Sequence, residues 1–318
     1  MIAVLTGGTG GAKFVDGLRQ VVAPEELTII VNTGDDLLWW GLYVSPDLDS
    51  ITYVLAGLLS KERGWGVKGD TFQCLQAMGQ LGQPIWFHAG DRDLAVHLVR
   101  SQLLAQGKTL SQATAEIAGK LGVTARILPM SDSRVETRVL TPTVGELSFE
   151  EYFVQRWYQD PVESVRFAGA ADAEPAPGVL EAVEKASLIL IAPSNPVTSI
   201  GPILAVSGIR EALRNAKATV AAVSPIVAGA AVSGPAGILM AAQGLPVSIA
   251  GVAQAYGDFL RVLVVDNRDA QNAEDLRKNG LRVHCANTVM RSSSEKTALA
   301  RSVLDCVSGQ GAAQIATE

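Results

Sequence analysis

Cysteine is scarce in this 318-residue chain: Cys74, Cys285 and Cys306 are an odd number at wide, irregular spacing. That pattern excludes a disulfide framework and a zinc knuckle, and reads as reduced thiols of a cytoplasmic protein. A basic stripe is also missing. A net charge of −6 and a pI near 5.2 argue against a nucleic-acid binder, so any nucleotide bound is small. The N-terminus lacks a basic n-region, and its apolar run is too short for a signal peptide. Charge disappears altogether between Ala218 and Gly257. Pro225, Pro235 and Pro246, with six glycines in the same stretch, would break a membrane-spanning helix repeatedly. The expectation there is buried strand, small-residue loop, short helix and buried strand again.

What is present is apolar: 48% of residues are hydrophobic and 18% charged, ample for a core of one large or two modest domains. Short apolar runs recur at Ile2 to Leu5, Leu27 to Val31, Ser187 to Ile191, Thr219 to Val223 and Val262 to Val265. Continuous runs of this length, with helical patterns between several of them, suit strands buried on both faces. The class is α/β, a Rossmann-like three-layer fold with a mainly parallel sheet. The middle holds most of the aromatic residues, a helical pattern at Leu110 to Leu121 and strand-like alternation at Glu136 to Leu140. The expectation is a single compound domain over 1–318, with 62–175 a mixed helix and strand insertion and the tail after Gly309 frayed.

Asp35, Asp36, Asp47 and Asp49 fall within fifteen residues, with no Lys or Arg nearby in sequence. Clustered carboxylates raise one another's pKa unless a cation compensates. Solvated turns and helix caps are the plain alternative. Ser45 is a natural N-cap and Pro46 a natural first helical residue, which puts Asp47 and Asp49 in a first turn where the dipole favours them. Residues two apart on a helix lie about 200° apart, so both reach one ion only at the helix end.

The first loop, Thr6 to Lys13, reads TGGTGGAK between the first strand and a helical pattern at Phe14 to Val22. Glycines there let backbone N–H groups approach a phosphate at a helix N-terminus. It departs from both G-x-G-x-x-G and G-K-[ST], which leaves the ligand class open. A nicotinamide dehydrogenase would also need an acidic residue at the end of the second strand, where Asn32 stands. Two later loops, Ala192 to Pro202 and Val223 to Gly237, follow strands and would open on the same crevice. There Ser194, Asn195 and Ser199 offer neutral hydrogen bonds, and Ser233 with Gly234 another backbone approach. The stretch from His88 to Asp93, after the run Pro84 to Phe87, reads as a strand-to-helix junction with Asp91 and Asp93 paired around Arg92; facing a cleft, His88 or Arg92 would hold a polar substrate. His97 and His284 stand isolated and are left unassigned.

Taken together, GGTGGAKFVDGL from Gly7, NTGDD from Asn32, SPDLDSI from Ser45, GDRDLAVHLVRS from Gly90, LPMSD from Leu128 and PSNPVTSIGPI from Pro193 resemble the 2-phospho-L-lactate transferases of deazaflavin coenzyme F-420 biosynthesis. The likeness spans nearly the whole chain, VSPIVAGAAVSGPAG included. It implies an enzyme passing a phospholactyl, phosphoenolpyruvyl or phosphoglyceryl group from a guanosine diphosphate ester to the ribityl hydroxyl of a deazaflavin precursor, with magnesium, releasing GMP. Asp49 is the implied catalytic residue and, with His88, the contact for the deazaflavin. Asp36, Asp47 and Asp49 are the metal candidates, and Gly8, Thr9, Gly10, Gly11, Lys13, Asn32, Ser194, Asn195, Ser233 and Gly234 the nucleotide and phosphate contacts. An isologous homodimer is the default for such an enzyme. The rival reading is a non-catalytic nucleotide-sugar-binding regulator sharing the glycine loop.

Overall fold

The computed structural model describes residues 1–308, so the tail after Gly309 lies outside the described residues. Seven parallel strands form the main sheet and are numbered along the chain: β1 (Ile2–Thr6), β2 (Leu27–Val31), β3 (Arg126–Pro129), β4 (Leu188–Ile191), β5 (Thr219–Val223), β6 (Val262–Asp266) and β7 (Arg282–Ala286). Their order across the sheet is 7-6-5-4-1-2-3. The direction of strand addition therefore reverses between β1 and β4, which opens a crevice at the carboxyl ends of these two strands. Each central strand is buried on both faces: Ala3, Leu5, Ile30, Ile189 and Ile191 enter one core layer, and Val4, Ile29, Val31, Leu190 and Val264 the other.

The five apolar runs all become strands, within a residue at either end. The two edge strands escaped the sequence reading for a physical reason. β3 ends on Pro129 and starts on an exposed Arg126, and β7 carries Arg282 and His284; edges tolerate polar residues and proline that a central strand excludes.

Helix α1 spans Gly8–Leu18 and packs against α2 (Pro46–Leu55) and the last described helix, Ser293–Ser308. It begins inside the glycine loop, six residues before the expected pattern, because glycines at its first turn carry no apolar signal. Between β2 and β4 lie α3 (Gln73–Gln80), α4 (Asp91–Ala105), α5 (Leu110–Lys120), the edge strand β3, and an antiparallel sheet of Glu136–Thr141 flanked by Gly145–Ser148 and Ser164–Ala168. The charge-free stretch holds β5, a small hairpin (Ile226–Val227 with Ala230–Ala231) and helices Ala236–Ala242 and Ile249–Ala255; the strand expected at its end is β6, just beyond it. Among the described residues no helix is long and apolar enough to cross a membrane.

The run Pro84 to Phe87 is irregular loop rather than strand, and Arg92 makes no ion pair with Asp91 or Asp93. Asp91 instead accepts the backbone N–H groups of Gln73 and Cys74 at the start of α3, while Asp70 accepts those of Arg92 and Asp93 at the start of α4. Each carboxylate caps the other's helix, which fixes the corner between α3 and α4 without a salt bridge.

Candidate active site

The loops after β1, β2 and β4 are stitched into one floor beneath the crevice. Gly7 donates its N–H to Ser194 Oγ at 3.3 Å and accepts the Ser194 hydroxyl at 2.7 Å. The glycines are required by this closeness. A Cβ on Gly7 would meet Asp47 Oδ2 at 2.7 Å, one on Gly10 would strike the Pro193 carbonyl, and one on Gly11 would strike Thr6 and Ser194. Gly8, with φ +65°, starts α1, and its N–H is already taken by Asp47 Oδ1 at 2.6 Å. Thr9 is exposed, Gly10 and Lys13 half-buried, and Ser233 and Gly234 exposed on the loop after β5.

Asn32 is fully enclosed and acts as a hub. Its amide donates to Asp35 Oδ2 at 2.9 Å, Asp47 Oδ2 at 3.0 Å and the Thr198 carbonyl at 3.3 Å, and its oxygen accepts the Gly34 N–H at 2.8 Å. It thereby holds two carboxylates on one nitrogen. Asn195 caps its own turn, its oxygen accepting the Val197 N–H.

A hairpin, Leu37–Trp39 with Leu42–Val44, turns at Trp40 and Gly41, both left-handed, as a tight two-residue hairpin turn requires. It returns Tyr43 and Ser45 to Asp36, which accepts the Tyr43 hydroxyl at 2.9 Å and the Ser45 hydroxyl at 2.6 Å. Ser45 therefore spends its side chain on Asp36, not on capping α2, whose N-terminus has no side-chain cap. Glu150, absent from the sequence reading, joins this group from the insertion, buried beside Asp47 and Asp36.

Electrostatics divide the acidic residues. Burial, reinforced by Asp47, Glu150 and Asp36, pushes Asp35 well above the carboxylate range. Burial raises Asp36 to about 8 against the opposing Ser45 hydroxyl, Arg100 and the Tyr43 hydroxyl. It raises Asp47 to about 6 against Asn32 and the Gly8 N–H, and Glu150 to about 8 with Asp47 and Asp36 adding to it. Asp35 Oδ1 is buried with no hydrogen-bond partner among the described residues.

Asp49 is different. Arg100, at the far end of α4 and itself buried, grips both of its oxygens: Nη1 meets Oδ2 at 3.1 Å and Nη2 meets Oδ1. Burial alone would raise the Asp49 carboxyl, but Arg100 and His97 outweigh it and hold it low. His97 lies 3.4 Å from Asp49 Oδ2 and 3.8 Å from Asp93 Oδ2, and neither ring nitrogen has a hydrogen-bond partner among the described residues. The Tyr53 hydroxyl donates to Asp93 at 2.5 Å. Asp49, Asp93 and His97 are a buried group of ligand types that could hold a metal ion, their ligand atoms within 4.8 Å of one another. The isolated His97 of the sequence reading is thus central, while His284 bonds Ser302 at the far edge strand. The signal was present: 93, 97 and 100 share one helical face.

Of the residues expected at the site, Asn32, Asp36, Asp47, Ser194 and Gly8 to Gly11 converge at the switch point. Asp49 sits behind them in Arg100's grip. His88 stands apart on the α3 to α4 corner, exposed, its ring 6.5 Å from those of Trp65 and Phe72.

The family model described as 2-phospho-L-lactate transferase CofD matches residues 2–302. The chain belongs to the CofD family. A 2-phospho-L-lactate transferase of Methanosarcina acetivorans is 43% identical over 301 residues, 95% of this chain and 97% of the relative. A phosphoenolpyruvate transferase of Streptomyces griseus is 43% identical over 309 residues, 96% and 97% of the two chains. Methanocaldococcus jannaschii has a 2-phospho-L-lactate transferase 40% identical over 308 residues, covering 96% and 97%. Two crystal structures of the Bacillus halodurans protein BH3568, one titled a member of the UPF0052 family, align with TM-scores of 0.63 and 0.64 at 15% and 16% identity, over 95% of this chain and 98% of theirs. They show the shared α/β fold. Membership in the CofD family makes this chain a transferase of coenzyme F420 biosynthesis and decides for the enzyme over the regulator.

Proposed function

We propose that this CofD-family transferase passes a phospho-acyl group from a guanosine diphosphate ester to the ribityl hydroxyl of the deazaflavin precursor, with magnesium, and releases GMP. The hydroxyl oxygen forms a new bond to the phosphorus bearing the three-carbon acid, the bond from that phosphorus to the bridging oxygen breaks, GMP leaves with the electron pair, and the hydroxyl's proton passes to a base. One observation carries the reading most directly: an uncompensated set of buried carboxylates meets a glycine-lined helix N-terminus at the switch point of the sheet.

The residues fit magnesium. Asp35, Asp36 and Asp47 are all-oxygen donors, as a hard cation prefers; burial raises all three carboxyls, and one Asp35 oxygen is buried without a hydrogen-bond partner among the described residues, so a bound cation would offset their charge. In this reading Asp36 and Asp47 hold the ion with Asp35 beside them; bound there, it would offset charge on the donor's diphosphate. Asp47 already occupies the first N–H of α1, so without a cation it would repel the phosphate that the helix end attracts. Asp49 serves by position, because both its oxygens are committed to Arg100. Glu150, with proton affinity lifted to about 8, is suited to take the hydroxyl's proton. Lys13, Thr9, Ser233 and Gly234, on the open side of the loops, receive the donor, and His88 the acceptor.

Equal identity to a phospholactate and a phosphoenolpyruvate enzyme does not rank the three-carbon acids. The reading also takes the protein as a cytoplasmic homodimer, the dimer checked by light scattering. The decisive assay incubates the purified protein with the deazaflavin precursor, magnesium and each guanosine diphosphate ester. GMP release matched by a phosphorylated deazaflavin is expected with one donor, and absence of turnover with all of them overturns the reading.

A further inference from the structure

A five-residue π-helix, Glu151–Gln155, follows Glu150 directly and ends in two consecutive bulky residues with left-handed backbone, Trp157 at φ 55° and Tyr158 at φ 45°. Neither feature is cheap. π-Helical turns gather at functional sites, and aromatic residues in this region persist only where the surroundings over-determine them. The restraints are visible. Tyr158 donates its N–H to the Tyr152 carbonyl at 2.9 Å, and Arg156 grips Asp160 through two bonds of 2.5 and 2.9 Å that straddle the strained pair. The Tyr158 ring then stacks on Phe153 (5.6 Å, 20°), and Phe153 on Phe149 (5.4 Å, 3°).

The effect of all this is to leave one ring out. Among the described residues Trp157 joins no ring contact and is 71% exposed, where strain is otherwise hard to justify. It lines a depression of about 640 Å³ together with Gln155, Gln159, Arg156 and Asp160. The turn also reaches two residues named at the candidate site. Its first residue follows Glu150, and a Cβ on Gly234 would lie 3.7 Å from the Phe153 ring, so the loop after β5 abuts the stack.

We infer that Trp157 is a stacking platform for a flat heteroaromatic ring of one of the reaction's two ligands, with the Gln155 and Gln159 amides reading the edge of that ring. A planar indole presented by a rigid turn offers a large contact at little entropic cost, and stacking of a base on such a ring tolerates no loss of the aromatic face. The ring is the guanine of the donor or the deazaflavin of the acceptor, and the inference rests on the transferase reading above.

Calorimetric titrations with GDP alone and with the deazaflavin precursor alone, on the wild-type protein, Trp157→Phe and Trp157→Ala, separate the possibilities. Trp157→Ala should weaken one ligand about tenfold or more in Kd and raise its KM in parallel, with kcat changed far less, the other ligand unaffected and the melting temperature held. Trp157→Phe should recover most of the loss. The ligand that weakens identifies the ring. Binding of both ligands to Trp157→Ala within twofold of wild type overturns the platform while leaving the transferase reading standing, whereas a wild-type protein that binds neither ligand overturns both.

Discussion

Two groups of buried carboxylates lie side by side under one crevice, and their charge is handled in opposite ways. Asp49 faces Arg100 and His97, delivered by α4 from some fifty residues away in sequence, and Asp93 lies on α4 beside His97. Asp35, Asp36, Asp47 and Glu150 face hydroxyls, an amide and a backbone N–H, but no cation of their own. Hydrogen bonds partly replace water for a buried carboxylate; only an opposite charge repays the rest. In the first group Arg100 and His97 hold Asp49 low, although burial still raises Asp93, whereas in the second burial lifts Asp35 well above the carboxylate range and Asp36, Asp47 and Glu150 to about 8, 6 and 8. The Asp49–Arg100 pair ties α2 to α4, and the function proposed above places the chemistry on the second group.

The sharpest way to break that contrast is Arg100→Met. If Arg100 is the built-in counter-ion, its loss leaves Asp49 buried with only His97 beside it, costing about 3–5 kcal/mol and lowering the melting temperature by roughly 10 °C. Thermal unfolding followed by circular dichroism reads the change. A variant as stable as wild type would mean that Asp49, like its neighbours, is free to seek a cation. The same logic makes Asp49→Ala a poor probe of catalysis, because it strands Arg100 instead; a conservative Asp49→Asn confuses stability with activity less.

Much of this contrast was out of reach of the sequence. The four aspartates were visible as one cluster lacking nearby Lys or Arg, and in sequence that is true; Arg100 and Glu150 arrive through tertiary packing. Periodicity exposed the five central strands because burial on both faces makes them uniformly apolar, and it missed the polar edge strands for the opposite reason. The glycine loop announced itself, but its glycines answer first to the crowding of Asp47, Pro193 and Ser194. Ser45 looked like an N-cap because residue type cannot tell which of two nearby partners, a helix N–H or the Asp36 carboxylate, takes the hydroxyl. His97 was legible only as one of three residues on a helix face whose partner, Asp49, lies on another helix.

A second test asks whether the uncompensated group behaves as one. Asp36, Asp47 and Glu150 have folded-state pKa values above their unfolded ones, so their contribution to stability is fully present below about pH 4 and is lost as pH rises through 6 to 8. In chelator, the melting temperature should therefore fall by about 5 °C or more between pH 5.5 and 8.5, and millimolar magnesium should restore most of the loss at the alkaline end and little at the acid end. Magnesium stabilisation of equal size at both pH values would sever the link between the raised carboxyls and the ion.

The smallest effect is the most local. Ser45 donates to Asp36 Oδ1 and thereby favours the ionised carboxylate, pulling its pKa down against burial. In Ser45→Ala that help is gone, the folded-state pKa of Asp36 rises further, and the pH at which its share of stability is lost moves in the alkaline direction by about one unit, the equivalent of a single hydrogen bond of ordinary net strength. Carboxyl carbon chemical shifts of Asp36, followed by NMR in chelator, report the midpoint directly. A midpoint that stays put, or moves toward acid, would show that the hydroxyl serves α2 after all and that the hairpin does not tune the carboxylate it returns to.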